Sequence, residues 1–137
     1  MKKFTTILLV IVALCTMIIP AHAAEDEIMP RFNNTIQVTT HFNIESNGLA
    51  VATYSFIGYT GIATKVVINS KIEKKFLWWW NDVDGAEWTI EVENDVYAGN
   101  HTHQLTKSGT YRLVYEYTVY GTGGSADVIS SSIEREY

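Results

Sequence analysis

The sequence predicts an all-β fold, a sandwich of seven or eight short antiparallel strands. Three observations predict it. From residue 35 onward, apolar side chains recur at every second position, the period of a strand with one buried face. Turn-forming residues interrupt the chain about every 8–12 positions, as in two-sheet sandwiches. No stretch of that region carries an apolar 3.6-residue period with helix caps.

The elements follow in order. Residues 24–34 form a polar lead-in with one proline, Pro30, expected to be flexible. In the first strand Ile36, Val38, Thr40, Phe42 and Ile44 share one face, and Gln37, Thr39, His41, Asn43 and Glu45 share the other. Ser46-Asn47-Gly48 follows, and Asn-Gly is a strong hairpin signal because both residues tolerate positive φ. The return strand, residues 49–57, is apolar on both faces, so its inward set stays open. Residues 58–61 contain two glycines and read as a turn. Residues 65–75 form a third strand with Val66, Ile68 and Ile72 inward.

Three consecutive tryptophans then run into Asn81-Asp82-Val83-Asp84-Gly85, which reads as a polar turn. Residues 87–93 alternate Trp88, Ile90 and Val92 against Glu87, Thr89, Glu91 and Glu93, a strand with an acidic outer face. Residues 94–106 hold a turn and a short strand that ends at Leu105. Residues 111–120 alternate Tyr111, Leu113, Tyr115, Tyr117 and Val119 against Arg112, Val114, Glu116, Thr118 and Tyr120. After a glycine-rich turn at 121–124, residues 127–135 give the last strand, with Ile129 and Ile133 on one side.

Ahead of these strands the chain reads as an export leader. Lys2 and Lys3 precede an apolar run over residues 4–19, and Ala21-His22-Ala23 supplies the small-x-small pattern of a cleavage site. Residues 1–23 are expected to be a signal peptide, 24–34 the lead-in and 35–137 the domain of a secreted protein. Cys15 follows Leu14 inside the apolar run, which is no lipidation signal, so it leaves with the leader. The exported chain then holds no cysteine, and its core must replace the disulfides that small exported domains use. The net charge of −5 becomes −7 once Lys2 and Lys3 are gone. Phosphate-rich nucleic acid is therefore excluded as a partner, and the acidic balance counts against membrane contact after cleavage.

One local pattern narrows the sandwich class. The run "LTKSGTYRLVYEY", residues 105–117, places a glycine turn and then Tyr111 at the head of a long strand. In immunoglobulin-like sandwiches a tyrosine there bonds back to the turn backbone. The Cys-Trp-Cys pattern of true immunoglobulin domains is absent, so only an immunoglobulin-like architecture is expected, and no function comes with it. The order of "IEKKFLWWW", "EWTIEVENDVYAG" and "HTHQLTKSGTYRLVYEYTVYG" resembles a family of small secreted proteins of Gram-positive, often gut-dwelling, bacteria. The resemblance covers most of the chain after the leader. It implies an export leader, one short all-β domain and no assigned activity, with no catalytic or binding residues to carry over. Relatives usually hold one tryptophan after the lysine pair. The three here depart from that pattern and argue against a purely structural role for all of them.

Candidate sites follow. As a continuous strand, the aromatic run would place Phe76, Trp78 and Trp80 on one face and Leu77 and Trp79 on the other. Three indoles cannot all be buried on one side, so at least one of Trp78, Trp79 and Trp80 is expected to be exposed, as a stacking or docking surface. Covering one end of the sandwich is the structural alternative. Asp82, Asp84, Gly85 and Glu91 fall at four positions of a calcium-loop register, but Trp80 stands at its first position and the flanks are strands. That leaves a loose calcium site on Asp82, Asp84 and Glu87, set against an ordinary polar turn. His101 and His103 lie two apart on one strand face, a spacing that can chelate zinc or copper, set against half-buried histidines with local hydrogen bonds. Asn33-Asn34-Thr35 and Asn100-His101-Thr102 match glycosylation sequons, but a bacterial chain is expected to carry no glycan.

No nucleophile elbow, cysteine nucleophile or phosphate loop is present, so no enzyme and no cofactor are expected. The sequence thus predicts a secreted, non-catalytic binding module for an extracellular protein or glycan. Two alternatives stand beside it. One is an antimicrobial-like effector that acts on membranes through its tryptophan edge, with Lys71, Lys74 and Lys75 nearby; the other is a carbohydrate-binding module.

Overall fold

Seven antiparallel strands form two sheets that face each other across one apolar interior, so the predicted all-β sandwich is the observed fold. The structure is a computed structural model, and it describes residues 31–137. The signal peptide, 1–23, and the lead-in up to residue 30 lie outside the described residues. The strands are β1 (Thr35–Ile44), β2 (Leu49–Gly58), β3 (Ala63–Phe76), β4 (Trp79–Val92), β5 (Val96–Gln104), β6 (Thr110–Gly121) and β7 (Asp127–Glu136). One sheet has the order β1-β2-β5 and the other β4-β3-β6-β7. The chain changes sheet after β2, after β4 and after β5.

The alternation seen in the sequence becomes the interior. Val66, Ile68 and Ile72 of β3 and Leu113, Tyr117 and Val119 of β6 are buried against Phe42 of β1. The open choice in β2 falls to Ala50, Ala52, Tyr54 and Phe56, all buried. Two tyrosines tie the sheets together inside the core. The Tyr54 hydroxyl donates to Ser70 Oγ across the interior at 2.8 Å, and Tyr117 Oη meets Thr40 Oγ1 at 2.8 Å. Their rings meet edge to face, with centroids 6.2 Å apart, the geometry that aromatic quadrupoles favour. Burial pushes both phenols up to about 12, although the Ser70 and Thr40 hydroxyls offset part of that rise.

Three expectations need correction. Ile36 was placed on the inner face of β1, yet it is exposed. The register slips between Thr35 and Gln37, so Ile36 is the extra residue of a bulge and turns outward. The lead-in was expected to be flexible to residue 34, yet Asn34 is wholly buried. The backbone N–H groups of Asn33 and Asn34 and the Thr35 hydroxyl all donate to the Asp127 carboxylate, at 2.8–2.9 Å. Asn34 Oδ1 accepts from the Gly123 N–H, and its Nδ2 donates to Ser125 O, which locks the β6–β7 turn to the start of β1. The run read as a sequon is therefore a clasp. Lastly, Asn81–Gly85 is no turn. β4 runs through it, and a bulge lets residues 83–86 stand opposite Ile72 alone. Gly85 takes φ 71° there, which a side chain would resist.

At Gly48 the predicted Asn-Gly turn is in place. φ is 83°, and an added Cβ would lie 2.7 Å from Leu105 O, so both the backbone and the packing require glycine. The Tyr111 hydroxyl donates back to Lys107 O, the bond that its place in the sequence predicted.

Candidate functional site: an exposed aromatic hairpin

β3 and β4 are the longest strands, and their hairpin outruns the sheet. β6 pairs with β3 only as far as Lys74, opposite Tyr111. Residues 75–80 therefore continue as a two-stranded ribbon that no neighbouring strand supports. Phe76 pairs with Trp79, which leaves Leu77 and Trp78 as a two-residue turn. Trp78 is 79% exposed, Leu77 64%, Phe76 56% and Trp79 41%. The rings still touch each other: Phe76 and Trp79 have centroids 5.2 Å apart, and Trp78 meets Trp79 edge to face at 5.0 Å.

This arrangement corrects the expected facing. Phe76 shares a face with Trp79, not with Trp78 and Trp80, because the chain reverses inside the run and period-two counting does not continue through a turn. Trp80 is on the other face. The Arg112 guanidinium stands 4.3 Å from its ring centroid, and Lys75 Nζ stands 5.6 Å from it.

Below Trp80 the ribbon is braced by charge. Glu73, nearly buried, takes an ion pair from Arg112 and another from Lys71 at 2.8 Å, and Lys71 also holds Asp82 at 2.8 Å. Burial alone would raise the Glu73 carboxyl, but the Lys71 and Arg112 hydrogen bonds overcome it and hold it below its ordinary value. The same bridge pulls Asp82 down and lifts Lys71 well above the usual lysine range. The chain Asp82–Lys71–Glu73–Arg112–Trp80 thus ties three strands together at the root of the projection.

Leu77 adopts φ 56°, at a turn position that glycine favours. A bulky residue there costs about 1–3 kcal/mol, and the exposed side chain recovers little of that by packing. Leu77→Gly is expected to stabilise the domain by about 1 kcal/mol, after allowing for the greater freedom of glycine in the unfolded chain. Differential scanning calorimetry would show this as a Tm higher by about 4–8 °C. A lower Tm would mean that the turn carries no such strain.

On its inner side the ribbon overhangs the β5–β6 loop and forms an open cleft of about 560 Å³. Phe76, Asp84, His103 and Lys107 line it, and Lys74 lies over the Tyr111 ring at 5.4 Å. Of the expected metal ligands, Asp82, Asp84 and His103 line this one cleft without forming a metal-holding group, and Glu87 and His101 stand apart from it. Asp82 is engaged by Lys71, Asp84 stands on the bulge, and Glu87 is exposed opposite Lys71. His103 faces the cleft, while His101 stacks flat on Trp88, with ring centroids 4.1 Å apart. That stack joins β4 to β5 and closes one open edge of the sandwich. Burial, and then His103, lower the His101 pKa. Trp88 Nε1 is enclosed near the Tyr54 phenol without reaching hydrogen-bond geometry. Among the described residues no group of three His, Cys, Asp or Glu side chains is placed to hold a metal ion.

Two partners of the site were missed in the sequence. Glu73 and Arg112 stand 39 positions apart, and the only sign of their meeting was that both fall on outward-facing strand positions. No protein-family model matches the chain, and no curated protein is similar to it.

Proposed function

We propose that the protein is a secreted, non-catalytic binding module whose contact surface is the β3–β4 hairpin tip. One observation carries this reading: Phe76, Leu77, Trp78 and Trp79 are exposed together at the end of a ribbon rooted in a rigid sandwich. Isolated exposed apolar residues are ordinary, but a contiguous aromatic cluster marks an interaction surface. Indoles give a large contact area for few torsions lost, which suits recognition. The carboxylates nearest the tip support a non-catalytic role, since Glu73 and Asp82 are engaged by Lys71 and Arg112. The Tyr111 corner, and β4 pairing beside β3 as an added strand does in variable-type domains, support an immunoglobulin-like reading of the sandwich. Together with the leader, they agree with the kinship to small exported proteins of Gram-positive gut bacteria.

The test is to titrate the protein with soluble oligosaccharides and with cell-surface extracts while tryptophan emission is followed, wild type beside Trp78→Ala/Trp79→Ala. Wild type is expected to respond, and the variant to lose at least about tenfold in affinity, a loss of about 1.4 kcal/mol or more, with an unchanged Tm. Equal responses from the two proteins would overturn the reading.

A further inference from the structure

We infer that the hairpin tip is a wedge for the interface of a lipid bilayer with anionic headgroups; this rests on the hairpin being the contact surface. The shape comes first. The tip is convex: Phe76 and Trp79 point to one face, Trp80 to the other, and Leu77 and Trp78 occupy the apex. A sugar ring or a protein groove covers such a projection on one side. The headgroup region of a bilayer surrounds it on every side, and indole rings, apolar with one N–H donor, partition to that depth.

The second observation is charge. Lys74 and Lys75 stand just behind the aromatic tip, and Lys107 faces them across the cleft. None of the three meets a carboxylate among the described residues. Long lysine side chains in this position reach headgroup phosphates while their stems lie along apolar surface. On the hairpin itself the acids nearest the tip are Glu73 and Asp82, both engaged by Lys71 or Arg112, and Asp84 on the bulge, while across the sheet on β7 Glu134 stands opposite Arg112 and Glu136 opposite Thr110, two strands from β3. Glu87 pairs opposite Lys71, five residues or about 17 Å along β3 from Phe76. That is about twice the screening length of about 8 Å at physiological salt. Glu91, opposite Val67, lies farther still. The hairpin end therefore presents Lys74 and Lys75, with Lys107 beside them, as cations that no carboxylate among the described residues engages.

The experiment is cosedimentation with vesicles of phosphatidylcholine, alone or mixed with phosphatidylglycerol, together with emission spectra and quenching by brominated lipid. An unprocessed chain would bind vesicles through its apolar run at residues 4–19, so the readout is the difference between wild type, Trp78→Ser, and Lys74→Gln/Lys75→Gln. Wild type is expected to bind the mixed vesicles with a blue shift and bromine quenching. Trp78→Ser is expected to lower binding at least about tenfold, and the lysine pair several-fold, with the latter effect lost at high salt. Thermal unfolding confirms that each variant folds. No binding by wild type, or equal binding by Trp78→Ser, overturns the lipid inference. If vesicles leave wild type unchanged but a soluble glycan or surface protein shifts its emission and not that of Trp78→Ser, the lipid inference falls and the binding-module reading stands.

Discussion

Stability is expected to fall by about 5 kcal/mol between pH 10 and pH 12. The free phenol titrates near 10, whereas Tyr54 and Tyr117 titrate at about 12 in the folded domain. Between those values the folded state keeps two protons that the unfolded chain has released. Unfolding is then favoured as pH rises, and the contribution present below pH 10 is lost by pH 12. Each phenol accounts for roughly 2–3 kcal/mol, since both rings are shielded from solvent in the core. A domain of this size has about 5–15 kcal/mol in all, so the loss brings it near its unfolding point. Urea unfolding at a series of pH values would measure this, with tyrosinate absorbance as a second signal. Tyr117→Phe is expected to remove about half of the alkaline loss, and at neutral pH to cost about 1 kcal/mol for the bond to Thr40. An unfolding midpoint at pH 12 equal to that at pH 8 would contradict the burial of both phenols.

Asp127→Ala is expected to destabilise the domain by about 3 kcal/mol, although it removes no apolar contact of the core. Three donors end on this one buried carboxylate: the N–H groups of Asn33 and Asn34 and the hydroxyl of Thr35. Hydrogen bonds to a charged acceptor contribute about 1.5–3 kcal/mol each, and buried donors left without a partner keep their desolvation cost. Burial alone would raise the Asp127 carboxyl, but the hydrogen bonds from Asn33, Asn34 and Thr35 overcome it and hold it below the usual aspartate range. Its contribution is therefore present above about pH 4, the unfolded value, and is lost as pH falls through the folded one. Asp127→Asn keeps the shape but turns one acceptor into a donor. It is expected to be less stable than wild type at pH 7 and less sensitive to acid. A urea midpoint for Asp127→Ala within error of wild type would show that the clasp adds nothing.

The two predictions differ in how legible their residues were. Tyr117 stood on the apolar face of an alternating strand, so its burial followed from period two. Asp127 and Asn34 lie 93 positions apart, and neither carries a local sign of the other. The pattern Asn33-Asn34-Thr35 suggested a glycan acceptor, because a sequon and a backbone clasp use the same polar residues. Ile36 was misplaced for a related reason: one inserted residue reverses the facing of its neighbours, and alternation cannot reveal a bulge. The tryptophan run was misread in facing but not in exposure, since three indoles exceed what one buried face can take.

The sequence by itself determined the all-β class, the two-sheet interior, the Asn47-Gly48 turn and the corner at Tyr111. Each of these depends on residues near in the chain, through side-chain alternation or turn chemistry. Only the tertiary structure decided that the chain reverses between Leu77 and Trp78, that the ribbon outruns β6, and that Arg112 meets Glu73 beneath Trp80. Those outcomes depend on strand register and on which strands end first. Register is set by the packing of the whole sandwich, because a one-residue slip would turn the buried set of a strand to solvent.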